Sequence, residues 1–346
     1  MRKWHLWLAL VIGLPVAVVS ATGLAITYWG ASDALFDAPF YGVGRSHAVA
    51  PIDFDRLGDA ALAVPGALRL KGISLLRDGR TAIATVASGD GTDREVSLDP
   101  ATSAVMGVRN PQGSAIFLLY SLHTRLLLDQ IGQDAAGQAI VVMLAASVLG
   151  LLVSGVLLWW PQRWRWELIL PVVRRPHAWR DLHNKSGLYA LLPLAIAAIT
   201  AILLSLPGTR SIGASGDHPV PGLGEAAFTA ERLPLNDIAR AATAAARLPV
   251  TDISRLDQSG PILVYCEDAR GERRWVVVDR RQLTVEAVRD SYPLPQESDP
   301  SFLIGLHQGH RWGAVGQALF ALAGVVPLGL YVTGLVLWLR RPGRMS

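Results

Sequence analysis

Residues 138–162 read QAIVVMLAASVLGLLVSGVLLWWPQ, a run without a single charged side chain. Crossing a hydrocarbon core about 30 Å thick takes roughly 20 helical residues, so this stretch is long enough to span a membrane. Three further uncharged runs of similar length stand at 6–32, 186–209 and 312–339. The composition agrees: the chain is 51% hydrophobic and only 17% charged, where an ordinary soluble domain carries about 25% charged residues. The fold class read from this is a membrane α-helical protein with four transmembrane helices.

Several functions are excluded by the same composition. One cysteine, Cys266, rules out an internal disulfide, a CxxC redox pair, a cysteine-ligated iron–sulfur cluster and CxxCH haem attachment. Neither GxGxxG nor GxxxxGK[ST] occurs, so no nucleotide-binding motif is present. The basic balance, with a pI near 9.4, is explained by membrane topology rather than by nucleic acid, which is not expected as a partner.

Arg2 and Lys3 precede the first run, Arg163, Arg165, Arg174, Arg175 and Arg180 lie between the second and third, and Arg340, Arg341 and Arg344 follow the fourth. The positive-inside rule then makes both termini and the 163–180 loop cytoplasmic in a multi-pass membrane protein, with the two long segments outside, in the periplasm if the cell is Gram-negative. Trp4, Trp7, Trp29, Trp159, Trp160, Trp164, Trp166, Trp179, Trp312 and Trp338 sit at the span ends, where amphipathic rings favour the interface. A cleaved signal peptide is the alternative for the first run, but such segments have apolar cores of about 7–15 residues. The expected organisation is a span at 1–32, an outer domain at 33–120, a second span with its outer interfacial segment at 121–162, the cytoplasmic loop at 163–180, a third span at 181–209, a second outer domain at 210–305, and a fourth span with a cytoplasmic tail at 306–346.

The chain reads as a tandem duplication. Arg2-Lys-Trp-His5 is followed by Pro15 and Thr22, and Arg180-Asp-Leu-His183 is followed at the same spacings by Pro193 and Thr200. Gly137-Gln138 with Ser154-Gly155 and Trp159 matches Gly316-Gln317 with Thr333-Gly334 and Trp338 without a gap. Each outer segment has a helical stretch (54–64 and 238–248) followed by short strand-like runs (73–76, 81–87 and 95–98; 262–265 and 275–278). This predicts two small α+β domains. Pro15, Pro193 and Pro327 are expected to kink their helices. No catalytic triad, paired-carboxylate site or metal cluster is visible in the outer segments, and no catalytic residue or substrate site is assigned.

Four histidines are placed alike. His5 and His183 begin the first and third spans on the cytoplasmic side, and His123 and His307 lie on the outer approach to the second and fourth. Ionisable residues bordering spans tend to face the bundle interior. A neutral imidazole is a haem-iron ligand, and helices facing each other across a bundle hold cofactors between them. Two pairs, His5/His183 and His123/His307, predict two haems, one toward each face. Without CxxCH these are non-covalent b-type haems, suited to moving electrons through the bilayer. His310, one turn from His307, is an alternate ligand. His47, His177 and His218 are read as surface residues. The competing reading of all four histidines is that they solvate their polar tips at the interface.

The chain resembles the PepSY-associated transmembrane family, whose members include FoxB-like ferric-siderophore reductases. The resemblance rests on Arg2-Lys-Trp-His5, Leu122-His123, Arg180-Asp-Leu-His183-Asn-Lys-Ser-Gly187, Leu306-His307, the Ser154-Gly155 and Thr333-Gly334 span ends, and the Asp99-Pro100 and Asp279-Arg280 corners, the second of which lacks the usual proline. It implies two PepSY-like periplasmic domains, two b haems ligated by His5, His123, His183 and His307, and reduction of Fe(III) in a ferric siderophore. The electron donor, a membrane quinol or a separate cytoplasmic reductase, is not encoded in the chain. The rival reading is a non-enzymatic PepSY membrane protein that binds peptides or restrains a secreted peptidase.

Overall fold

A computed structural model describes residues 1–41, 52–76, 81–160, 178–206, 232–268, 272–289, 301–309 and 312–340. The chain divides into two compact units. One is a membrane unit of residues 1–29, 118–212 and 298–346; the other is a sheet unit of residues 30–117 and 213–297.

Three helices of the membrane unit are long and apolar enough to cross a bilayer: α1 (Arg2–Thr27), α5 (Asp134–Trp159) and α10 (Gly313–Leu339). In chain order α2 (Trp29–Phe36), α3 (Phe54–Leu62) and α4 (Ala115–Arg125) lie between α1 and α5. The third apolar run is a bent pair, α6 (Ala178–Tyr189) and α7 (Leu191–Leu204), joined at 56°. Pro193 sits three positions past the break, and its ring opposes the Tyr189 carbonyl four residues back. By contrast α1 and α10 continue through Pro15 and Pro327 as single helices. Only one of the three expected prolines therefore accompanies a break. The spans also differ from their sequence limits: α1 ends at Thr27, and the third begins upstream of the uncharged run, at Ala178.

Most residues turned inward in the long helices are small or hydroxylic, including Ala17, Thr22, Gly137, Ala145, Ala198, Thr200, Gly316, Ala323 and Thr333, alongside Leu144, Leu194 and Pro327. Large apolar side chains such as Val11, Leu14, Met143, Val153, Ile199, Leu319 and Val332 are exposed. Helices apolar on their outer surface and small at their contacts are built for a lipid solvent. Glycine permits the close α1–α10 approach: a Cβ on Gly324 would lie 3.3 Å from the Ser20 carbonyl oxygen. Between α4 and α5 the chain makes an extra 3-10 turn, Leu128–Ile131, flanked by left-handed Leu127 and Gly132. From His123 to Gly137 the chain is five residues longer than from His307, at the end of α9 (Ser301–His307), to Gly316.

In the sheet unit, α3 is followed by β1 (Ala67–Leu75), β2 (Ala82–Ser88), β3 (Asp93–Leu98) and β4 (Val105–Arg109). Then α8 (Leu235–Ala246) is followed by β5 (Val250–Ser254), β6 (Ile262–Glu267), β7 (Arg273–Val278) and β8 (Val285–Arg289). Two separate domains were expected; the structure instead joins the meanders into one antiparallel sheet of order β4-β3-β2-β1-β5-β6-β7-β8. The junction pairs Gly72 with Ser254, Ile73 with Ile253 and Ser74 with Asp252. Leu57 and Ala61 of α3, Ile238 and Ala242 of α8, and Ile73, Val86, Val96, Ile253, Val264 and Val276 of the sheet share one hydrophobic core. Asp53 caps α3 by accepting from Arg56 N at 3.0 Å, while Asp55 of α3 accepts from Leu235 N at 2.7 Å and so caps α8.

The two corners after β3 and β7 are alike. Asp99 accepts from Ala101 N and Thr102 N, Asp279 accepts from Arg281 N and Gln282 N, and each turn ends on a left-handed residue, Ser103 or Leu283. The aspartate builds the turn, so Arg280 replaces proline without altering it.

Candidate functional site

The structure brings the four predicted histidines into two pairs within the membrane unit. His5 on α1 lies beside His183 on α6, with ring centres 6.5 Å apart. His123 on α4 lies beside His307 on α9, with ring centres 6.1 Å apart. The rings are steeply inclined, at 83° and 67°. His310, the alternate to His307, and His47, His177 and His218 lie outside the described residues.

These separations test whether an iron-centred cofactor fits. A metal–imidazole bond is about 2.0–2.1 Å, and a five-membered ring with bonds near 1.35 Å places its nitrogen about 1.1 Å from the ring centre. Two imidazoles on opposite sides of one ion therefore have centres roughly 6.2–6.4 Å apart. Both observed pairs lie within about 0.2 Å of that range.

Each Nδ1 is held by a partner from the histidine's own half of the chain. His5 Nδ1 meets Ser154 Oγ at 2.8 Å, His183 Nδ1 meets Thr333 Oγ1 at 2.9 Å, and His307 Nδ1 meets Thr200 Oγ1 at 2.9 Å. His123 Nδ1 meets the Val19 carbonyl oxygen at 2.7 Å, with Thr22 Oγ1 at 3.4 Å.

The direction of these bonds follows from counting protons. A hydroxyl has one proton, and each of these hydroxyls donates it to a carbonyl of its own helix: Ser154 to Leu151, Thr333 to Gly329, Thr200 to Ile196 and Thr22 to Val19. The Val19, Leu330 and Ala197 carbonyls can only accept, so His123, His183 and His307 donate through Nδ1–H, and His5 does the same to Ser154 when that hydroxyl gives its proton to Leu151. Their Nε2 atoms carry the lone pair, which is the metal-ligating tautomer held by an outer hydrogen bond.

The residue after three of the four hydroxyls, Ser154, Thr333 and Thr22, is a glycine that leaves room for the ring; Thr200 is followed by Ala201. A Cβ added to Gly155 would sit 3.6 Å from His5 Cε1, one on Gly334 would sit 3.5 Å from His183 Cε1, and one on Gly23 only 2.7 Å from His123 Cε1. The spacing of Thr22, Thr200, Ser154 and Thr333 is visible in the sequence as a mark of repetition; their role as imidazole anchors is not. Along α1, the 14 residues from His5 to Val19 rise about 21 Å at 1.5 Å per residue, so the two pairs sit at opposite ends of the bundle.

A cavity of about 560 Å³ adjoins His5 and His183, within the roughly 300–1,000 Å³ range of cofactor sites. Its walls are mainly apolar, with Leu10, Val148, Leu152, Leu194 and Leu330 among them. Asp181 and Lys185, both buried, flank His183 one turn apart on α6 with Nζ and Oδ2 at 4.0 Å. The third span thus carries charge at its N-terminal end that the uncharged run alone does not reveal. Among the described residues no group of three or more His, Cys, Asp or Glu forms a further metal cluster. Cys266 is buried in β6, and burial pushes its thiol up to about 11, a poor nucleophile.

Long apolar helices packed through small residues, with their large side chains outward, define a multi-pass helical membrane protein. Within that class, the family model of the PepSY-associated TM region matches residues 2–341, and the chain belongs to this family. No curated protein matches the chain.

Proposed function

We propose that the protein is a di-haem b reductase of the bacterial inner membrane, which passes electrons outward to reduce Fe(III) in a periplasmic ferric siderophore and so releases iron for uptake. What supports this reading is the two histidine pairs, whose ring separations would leave room for one iron between each pair, with each Nδ1 hydrogen-bonded elsewhere. His5 and His183 would hold one non-covalent b haem, and His123 and His307 the other. When bound, the two supply one-electron Fe(III)/Fe(II) chemistry on either side of the bilayer.

The chain's own contribution is to fix and insulate. With two histidines to hold each iron, a bound haem would be left without an open position, which would suit electron transfer rather than oxygen chemistry. Ser154, Thr333 and Thr200, with the Val19 carbonyl, hold the ring orientation and tautomer, and the apolar walls keep water away. Arg2, Lys3 and the arginines of 163–180 support a cytoplasmic His5/His183 end, where a quinol or a cytoplasmic reductase would donate. Hydroxamate siderophores hold Fe(III), a hard ion, far better than Fe(II), so one electron loosens the chelate. In the same reading the chain is a tandem duplication whose sheet unit is periplasmic, supported by the repeated order helix, meander, short histidine helix and span.

Visible absorption of the detergent-purified protein tests the proposal. Reduced-haem bands corresponding to about two haems per chain are expected, with one lost in His5→Ala and the other in His307→Ala. A folded but colourless protein overturns it, leaving a non-enzymatic PepSY protein that binds peptides or restrains a secreted peptidase.

A further inference from the structure

The cavity beside His5 and His183 is lined by several polar groups, with Arg2, Arg180 and Trp159 as donors and Asn184 as both donor and acceptor. Arg2 opens α1, Arg180 lies in the first turn of α6, and Trp159 closes α5; all three line the cavity. Trp159 Nε1 is buried with no hydrogen-bond partner. A buried N–H left unsatisfied costs about 1–3 kcal/mol, so it calls for an acceptor. Neither guanidinium makes an ion pair or hydrogen bond among the described residues. No Asp or Glu is among the described residues lining the cavity. An apolar chamber ending in two arginines and an orphaned indole N–H matches an apolar ligand bearing acid groups at one edge.

Resting on the reading of this pair as a haem site, we infer that Arg2, Arg180 and Trp159 bind the carboxylate side chains of the cofactor held by His5 and His183. Guanidinium recognises carboxylate through paired, charge-assisted hydrogen bonds. The arginines thereby act as cofactor ligands as well as topology signals, and they set the cofactor's edge toward the His5/His183 end of the bundle. Their positive charge also favours the reduced iron.

Potentiometric titration of the full-length protein, followed by absorbance, reads this directly. In Arg2→Gln/Arg180→Gln, reduction at the His5/His183 site should be about tenfold less favourable, a fall of about 59 mV for a one-electron couple, with the second haem unchanged. Haem transfer to a scavenger should also quicken at that site, and Trp159→Phe should move it in the same direction by less. Replacing haem with its dimethyl ester in the unaltered chain removes the acid groups without touching the protein. The ester should bind more weakly than haem to the wild-type site and equally well in the double Gln variant. Arg2→Lys/Arg180→Lys keeps the topogenic charge, and should recover the potential but only part of the retention. Two bound haems with unchanged potential and retention in the Gln variant, or equal binding of haem and ester by the wild type, overturn the inference while leaving the reductase reading intact. A colourless wild type overturns both.

Discussion

In the membrane unit the buried Thr22, Thr200 and Thr333 each donate to a carbonyl of their own helix, three or four residues back, and their oxygens meet imidazole nitrogens. In the sheet unit the buried polar node is ionic. Arg109 on β4 reaches Asp33 of α2 at 3.0 Å, Asp37 at 3.0 Å and Glu95 of β3 at 2.8 Å, and Tyr41 donates to the same Asp33. The contrast follows from the surroundings. Lipid offers no water to satisfy a stray polar group, so hydroxyls close locally and present a single directed acceptor. The sheet unit balances full charges against one another, and its polarity fixes packing rather than a ligand.

That contrast predicts different costs, the largest in the sheet unit. Asp33 and Arg109 side chains are only 2% and 12% exposed. Arg109→Ala leaves Asp33 buried without its cation, and removing one partner of a buried pair costs about 3–5 kcal/mol. Hydrogen exchange of β3 and β4 amides should accelerate accordingly. Unchanged protection there would show that the node carries no stability, and the contrast would fail.

Next in size is a change to the imidazole anchors. Thr333→Val removes one acceptor for His183 Nδ1–H while keeping shape, leaving the Leu330 carbonyl, and Thr200→Val does the same to His307, leaving the Ala197 carbonyl. Loss of such an outer partner costs about 10–100-fold in metal-site affinity. If the pairs hold the proposed haems, each variant should lose haem from its own pair alone, and Thr→Ser should restore it. Independently of any cofactor, nitrogen NMR of the histidines should show the Nδ1–H tautomer in the unaltered chain and a tautomer mixture at the altered residue. Retention of a single tautomer in Thr333→Val would mean that the hydroxyl does not direct the ring.

Much of this was legible in the residues. The uncharged runs report the membrane spans because lipid tolerates little else, and the four histidines stand out because each recurs at a matched place. The pairing of His5 with His183 and His123 with His307 follows from topology alone. The anchoring role of Thr22, Thr200, Ser154 and Thr333 does not, because a hydrogen bond between helices leaves no local pattern; only its spacing shows. The single sheet was hidden for a similar reason. Its junction is made by Gly72-Ile73-Ser74 and Asp252-Ile253-Ser254, segments too short to announce which edge they pair with, and β4 and β8 are brief edge strands of five residues each. Asp181 and Lys185 escaped notice as buried groups because they precede the uncharged run rather than interrupt it.

The smallest predicted effect lies at that junction and sharpens the contrast from the other side. Ser74 Oγ donates to Asp252 Oδ2 at 2.5 Å across β1 and β5. Burial pushes the Asp252 carboxyl above its ordinary value, against the opposing pull of the Ser74 and Ser254 hydroxyls. A carboxyl raised in the folded state binds its proton more tightly there than in the unfolded chain. Its contribution to stability is therefore present in full below the unfolded value near 4 and is lost as pH rises through the higher folded value. Asp252→Asn keeps an acceptor for Ser74 and removes the buried charge. It should raise the sheet's stability at neutral pH by about 1 kcal/mol or less, with no gain at pH 3, and so flatten the pH dependence. Exchange rates of the β1 and β5 amides, corrected for intrinsic pH effects, measure this. If Asp252→Asn weakens the junction at neutral pH, the charge is stabilising there, and the sheet unit resolves its buried polarity as an ionised acceptor rather than as a burdened one.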